Sequence, residues 1–254
     1  MDFTGCRQTV IFEGMFLLAL AIAPGIAICL FIYFKDRYDR EPKKYLAVSF
    51  LLGMLSTFPA LLVQFLAGDV RENATSHFIV TYAFFAYIIV ALSEEGSKFL
   101  MLRLYAYPKK SFNEPFDGIV YAVMVAMGFA TVENIEYVLH YGVQTGVIRF
   151  FLSVPAHASF AVLMGYYTGR AKFTPRWSFW LMAKGLLIAV FFHGSFDFCI
   201  FLQDNEHVTR YISTGMLSFG AFASFYISFR LAMRSLRSQQ SISRKAFENN
   251  HFAD

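Results

Sequence analysis

Charged side chains are scarce in this sequence. Asp, Glu, Lys and Arg make up 16% of its 254 residues, against roughly 25% in an ordinary soluble domain. Cysteine is scarcer. Cys6, Cys29 and Cys199 lie far apart, with no C-x-x-C pair. That excludes a disulfide scaffold and argues against a structural zinc cluster, leaving buried small hydrophobes as the reading. There is no fixed-period repeat and no low-complexity run, which excludes solenoids and disordered chains. The net charge of +4 is too small for a nucleic-acid-binding surface.

What is present is apolar. Hydrophobic residues make up 57% and aromatics 19%, including 31 Phe and 14 Tyr. A soluble core of this length cannot absorb them, so the lipid bilayer must solvate much of the surface. Seven apolar runs are long enough to cross it, at about 11–34, 45–67, 80–104, 117–140, 148–168, 177–202 and 211–233, since a crossing helix needs about 20 residues. The first lacks an A-x-A cleavage pattern before Lys35 and is kept as a span. The expectation is an all-α polytopic bundle of about seven spans, with a transmembrane domain at 1–233 and a mobile polar cytoplasmic tail at 234–254.

Sixteen Lys and Arg residues fall in one set of loops and the tail, including Lys35, Arg37, Arg40, Lys109, Arg170 and Arg237. Arg7, Arg71, Arg149 and Arg210 fall on the other side. This bias places the amino terminus outside and the carboxyl terminus in the cytoplasm.

Four spans carry polar residues that lipid would penalise by about 2.5–3.5 kcal/mol per charge on insertion scales. In Leu92-Ser93-Glu94-Glu95-Gly96-Ser97-Lys98, the carboxylates sit about 100° apart on a helix, and Lys98 follows at i+4 and i+3. Two like charges this close in a low dielectric cannot easily both ionise, so a proton donor stands beside an acceptor that Lys98 keeps charged. The next span carries Glu133, Asn134 and Tyr137; the fifth has His157 among small residues. The sixth places His193 and Asp197 at i, i+4, where the aspartate can orient the imidazole or both can bind a metal. Ser195 lies about 200° from His193 on that helix and is a poor nucleophile. Glu136 and His140 read as solvated at the outer boundary. At 1.5 Å per residue, Glu133, His157 and His193 share the middle of the bilayer. Together with Glu94 and Glu95, they are expected to line one water-filled cavity open toward the cytoplasm.

In combination these motifs resemble the PrsW family of intramembrane proteases, which is grouped with the CAAX prenyl proteases and bacteriocin-processing enzymes. The resemblance covers about residues 30–200. It is carried by Asp36-Arg37-Tyr38-Asp39-Arg40-Glu41-Pro42, E-E-x-x-K at Glu94, Glu95 and Lys98, Asp117-Gly118-Ile119-Val120-Tyr121, Gly128-Phe129-Ala130-Thr131-Val132-Glu133-Asn134, the His157 span and H-G-x-x-D at His193 and Asp197. It implies cleavage of a membrane-anchored protein, such as an anti-sigma factor, in a bacterial cytoplasmic membrane.

The residues allow a deprotonated glutamate of the pair to activate water. His193 and Asn134 would stabilise the oxyanion, and His157 would position water or protonate the leaving amine. Glu133 completes the catalytic set; Lys98 and Asp197 support it. No cofactor is required on this reading. The competing reading is a zinc hydrolase with ligands drawn from His157, His193, Glu133 and Asp197, although no H-E-x-x-H is present. Intramembrane Glu, Lys, His and Asp also suit a proton-coupled transporter, and a non-proteolytic scaffold is a further alternative. The topology has a direct test. Alkaline phosphatase, active only outside, should be inactive when fused at Ser238 and active in the 203–209 loop; high activity at Ser238 would reverse the orientation.

Overall fold

In the computed structural model, residues 3–68 and 79–251 are described. Side chains up to residue 13, including Cys6 and Arg7, and most of the 68–77 loop with Arg71, lie outside that description. The described residues form helices and loops without a strand.

Seven long helices follow one another: α1 (Phe3–Lys35), α2 (Lys43–Leu55, resuming as Thr57–Leu66), α3 (residues 79–106), α4 (Pro115–Phe151), α5 (Ser153–Lys172), α6 (Ser178–Phe201) and α7 (Thr214–His251). Six apolar segments are of membrane-crossing length, one of which combines α4 and α5. Phe58, Phe65, Leu104, Phe179, Trp180 and Phe219 stand exposed around the bundle, as side chains facing acyl chains do.

The centre is α4. Every residue from Phe116 to Thr131 is buried, and α1, α2 and α5 pack around it. Close approach depends on missing side chains. A Cβ on Gly53 would lie 1.9 Å from the Val125 carbonyl oxygen, and one on Gly128 would lie 1.9 Å from that of Phe50. A Cβ on Gly165 or Gly169, a G-x-x-x-G pair on α5, would strike the Gly118 or Pro115 carbonyl oxygen on α4. Between apolar helices in lipid, tight van der Waals contact is a main source of association.

Three irregularities position the site. Pro59 cannot donate to the helix, and α2 breaks at Ser56. Ser56 and Thr57 hydroxyls bond the Gly53 and Met54 carbonyls, each at 2.7 Å. Helix α3 contains π-helical stretches at Phe85–Ala91 and Leu102–Ala106, flanking the E-E-x-x-K turn; such stretches concentrate at functional sites. The third corrects the expected boundary between the fourth and fifth spans. The run at 142–145 reads as a loop, but helix resumes after Gly142, whose φ of 78° and ψ of −166° reverse the chain. Residues 143–151 then fold back before a break at Leu152, and α5 begins only at Ser153.

The expected mobile tail is also different. Helix α7 crosses residues 233 and 234 without a break and continues to His251. Gln240 Nε2 donates to the Lys35 carbonyl at 2.9 Å, and Phe247 packs against Tyr38.

Two glycine substitutions separate strain from collision. No atom lies within 4 Å of a Cβ at Gly142, so Gly142→Ala should cost about 1–3 kcal/mol from backbone strain alone. Gly128→Ala should cost more, because the Phe50 backbone must move. Melting temperatures in one detergent, with Gly142→Ala the milder, check this order.

Candidate active site

The site is built around one buried ammonium. Lys98 Nζ lies 2.8 Å from Glu95 Oε1, 3.5 Å from Glu94 Oε2 and 3.2 Å from His157 Nδ1. It also sits over the Phe129 ring, 4.0 Å from the centroid. The i+3 and i+4 spacing on α3 sets the first two contacts. The third comes from α5, 59 residues away in sequence. A buried cation requires close partners, and these three meet that requirement.

Each imidazole is held at both ring nitrogens. His193 Nδ1 is 2.9 Å from Glu95 Oε1, and its Nε2 is 3.1 Å from Asp197 Oδ2 and 3.8 Å from Glu94 Oε2. His157 Nε2 lies 2.9 Å from Glu133 Oε2. The rings stand perpendicular with centroids 5.2 Å apart, and Phe160 stacks on His193. Helices α3, α4, α5 and α6 thus bring Glu94, Glu95, Lys98, Glu133, His157, His193 and Asp197 into one cluster.

Asn134 stands apart from the roles expected of it. Its amide nitrogen donates to the Ala21 carbonyl on α1 at 2.8 Å, and its oxygen accepts from Arg149 Nε at 2.9 Å. With both ends engaged, it braces α1 and Arg149 and is poorly placed as an oxyanion donor. Arg149 was the functional residue missed from sequence. Counted as an outer-loop cation, it is buried, with Nη2 3.0 Å from Glu133 Oε2. The fold-back after Gly142 carries it there. A cation at the start of an apolar run, Val147-Ile148-Arg149-Phe150-Phe151, was the available signal.

A cavity of about 340 Å³ opens beside the cluster. Glu94, Glu133, Arg149, His157, His193 and Asp197 contribute to its wall, and Gln64 Nε2 donates to Glu94 Oε1 at 3.2 Å. Glu95 lies behind the wall, 1% exposed and absent from the lining. The remaining wall includes Thr57, Leu61, Glu136, Tyr137, Thr145, Ile200 and Phe201. These residues belong to the end of the bundle opposite the basic loops, so the expected opening toward those loops is corrected. Leu61 beyond the turn at Ser56, Glu136 and Tyr137 of α4, Ile148 of the fold-back and Ile200 of α6 are the exposed wall residues and form that mouth. Ser195 is bonded to Tyr87 and to the Phe191 carbonyl, away from the lining.

The expected zinc set is also rearranged. Glu94, His157 and His193 each offer a ligand atom, and these atoms lie within 4.8 Å of one another. Glu133 and Asp197 instead hold the two imidazoles from outside that set. Two histidines and a glutamate are a donor set that catalytic zinc uses, so the residues fit the metal in type and proximity. The Lys98 ammonium at His157 Nδ1 opposes a second cation by repulsion.

Comparison with known proteins agrees with the geometry. The family described as PrsW family intramembrane metalloprotease matches residues 41–233. Protease PrsW of Geobacillus kaustophilus is 36% identical over 188 residues, covering 74% of this chain and 81% of that protein. Protease PrsW of Bacillus subtilis is 34% identical over 194 residues, covering 74% and 84%. That of Clostridioides difficile is 37% identical over 197 residues, covering 74% and 80%. No solved structure matches the chain. With its membrane-length helices and this match over most of its length, the chain belongs to the PrsW family of intramembrane proteases, multi-pass proteins of the inner membrane.

Proposed function

We propose that the protein is an endopeptidase in which Glu94 activates the hydrolytic water for cleavage of a single-span, membrane-anchored protein, with anti-sigma-factor-like proteins as the substrate class. The observation that carries this reading is the position of Glu94. It is the member of the pair that reaches the cavity wall, beside both histidines.

In the proposed reaction, Glu94 accepts a proton as water attacks the scissile carbonyl carbon. Arg149, in the cavity wall and with guanidinium N–H groups to spare, is the donor for the developing oxyanion. Glu95 and Asp197 hold the His193 ring beside Glu94, which fixes the environment of the base. Glu94 then passes that proton to the leaving amine, while His157, held between Lys98 and Glu133, positions the water. Collapse of the tetrahedral intermediate then breaks the C–N bond and releases a carboxylate and an amine. The mouth opposite the basic loops implies that cleavage occurs near the outer end of the substrate span, on the orientation set by the basic-residue bias.

A second reading is favoured by the Glu94, His157 and His193 donor set and by the family's description as metalloproteases. Zinc held by those three residues would act as a Lewis acid and lower the pKa of bound water. Glu133 and Asp197 would then orient the ligating imidazoles.

Activity on a single-span substrate in proteoliposomes tests the proposal. Glu94→Gln keeps size and hydrogen bonding but cannot accept the proton, so cleavage should fall about 10²–10⁴-fold. Glu95→Gln, behind the wall, should be milder. Equal loss in both variants would place the base elsewhere. The glutamate reading predicts activity unchanged by a zinc chelator and sub-stoichiometric zinc by mass spectrometry. Near-stoichiometric zinc, with chelation abolishing activity and zinc restoring it, would establish the second reading.

A further inference from the structure

A second buried polar cluster lies at the other end of the bundle, among motif residues that the proteolytic site does not use. Asp36 and Glu41 come from the α1–α2 connection; Glu114 and Asp117 come from the start of α4. Asp36 is 1% exposed and Asp117 0%. One oxygen from each of Asp36, Glu114 and Asp117 lies within 4.8 Å of the other two.

Their ordinary partners account for half of these oxygens. Asp36 Oδ2 accepts from the Glu41 amide at 3.0 Å, and Asp117 Oδ2 accepts from the Asn113 and Glu114 amides, each at 2.8 Å. The Glu114 side chain accepts from the Asp117 amide in a capping box. Asp36 Oδ1, Glu114 Oε1 and Asp117 Oδ1 remain buried with no hydrogen-bond partner. Glu41 is engaged by the Tyr121 hydroxyl. Lys172 faces Asp117 and Glu41, but its ammonium donates to the Tyr107 and Lys109 carbonyls. Arg40 donates to the Asp36 backbone carbonyl.

An acidic cluster alone is no site, because capping and solvation account for most of them. Three unpartnered, buried carboxylate oxygens from two chain segments are different, since each would otherwise bear an uncompensated desolvation cost. One oxygen from each residue also lies close enough to the other two to share a single divalent ion.

We propose that Asp36, Glu114 and Asp117 form a site for a hard, oxygen-seeking divalent cation that clamps the α1–α2 connection to the start of α4. Two residues that flank Asp36 are themselves tied to α7: the Lys35 carbonyl by Gln240 and the Tyr38 ring by Phe247. The ion would therefore fix three segments at a point remote from the peptidase cluster.

Full-length protein, stripped with EDTA in a non-ionic detergent, is the sample. Terbium, an oxygen-seeking calcium probe, should bind saturably with luminescence sensitised by nearby tyrosine, and calcium should displace it. Calcium should also raise the melting temperature by several degrees. Asp36→Asn and Glu114→Gln should each lose both responses. In EDTA, Asp36→Asn should melt no lower than the parent, because one like charge has gone. Glu94→Gln should keep both calcium responses, which separates this site from the peptidase cluster. If Asp36→Asn does not fold, Glu114→Gln carries the test. No saturable terbium signal in the parent protein, or a calcium response surviving both substitutions, overturns the assignment.

Discussion

The arrangement of the peptidase site depends on the solvation of one ammonium. Lys98 is buried at the middle of a bundle whose outer face is hydrocarbon, where an uncompensated charge is costly. The structure supplies two carboxylates from the same helix turn and an imidazole nitrogen from α5. The rest of the cluster follows from those three. Glu95, held by Lys98, orients His193; Asp197 fixes the opposite side of that ring; Glu133 and Arg149 fix His157. A preorganised set of donors and acceptors results, before any substrate enters.

Such a cluster needs helices that cannot drift. The α2–α4 and α4–α5 crossings bring backbone against backbone at Gly53, Gly128, Gly165 and Gly169, and those contacts hold the helices carrying Glu133 and His157. Water also needs a route to mid-membrane. The breaks at Ser56 and Leu152, with the reversal at Gly142, occur where the chain lines a cavity. Irregular backbone at membrane depth is tolerated there because polar partners replace the missing helical hydrogen bonds.

The spans were legible because a run of about 20 apolar residues has few other uses. The E-E-x-x-K turn was legible because i+3 and i+4 neighbours share a helix face. Contacts between spans left no such trace. Nothing near Asn134 indicates that its amide reaches Ala21 on α1, and nothing near Arg149 indicates Glu133. The fold-back at 143–151 was hidden because polar residues 142–145 look like any short loop, while the glycine's positive φ is a backbone property. The carboxyl-terminal stretch looked polar and mobile because its partners, Lys35 and Tyr38, lie some two hundred residues earlier. The cavity mouth was misplaced for a related reason. Basic loops mark orientation, whereas access depends on where helices break.

The claim that a shared buried cation organises the site is tested most directly by a double-mutant cycle in unfolding free energy, measured in lipid, between Lys98→Met and Glu95→Gln. Removing the cation alone strands buried carboxylates and should cost about 3–5 kcal/mol. If the account is right, adding Glu95→Gln to Lys98→Met recovers much of that loss, and the two substitutions are strongly non-additive. Additive losses would show that Lys98 and Glu95 contribute independently and would contradict it.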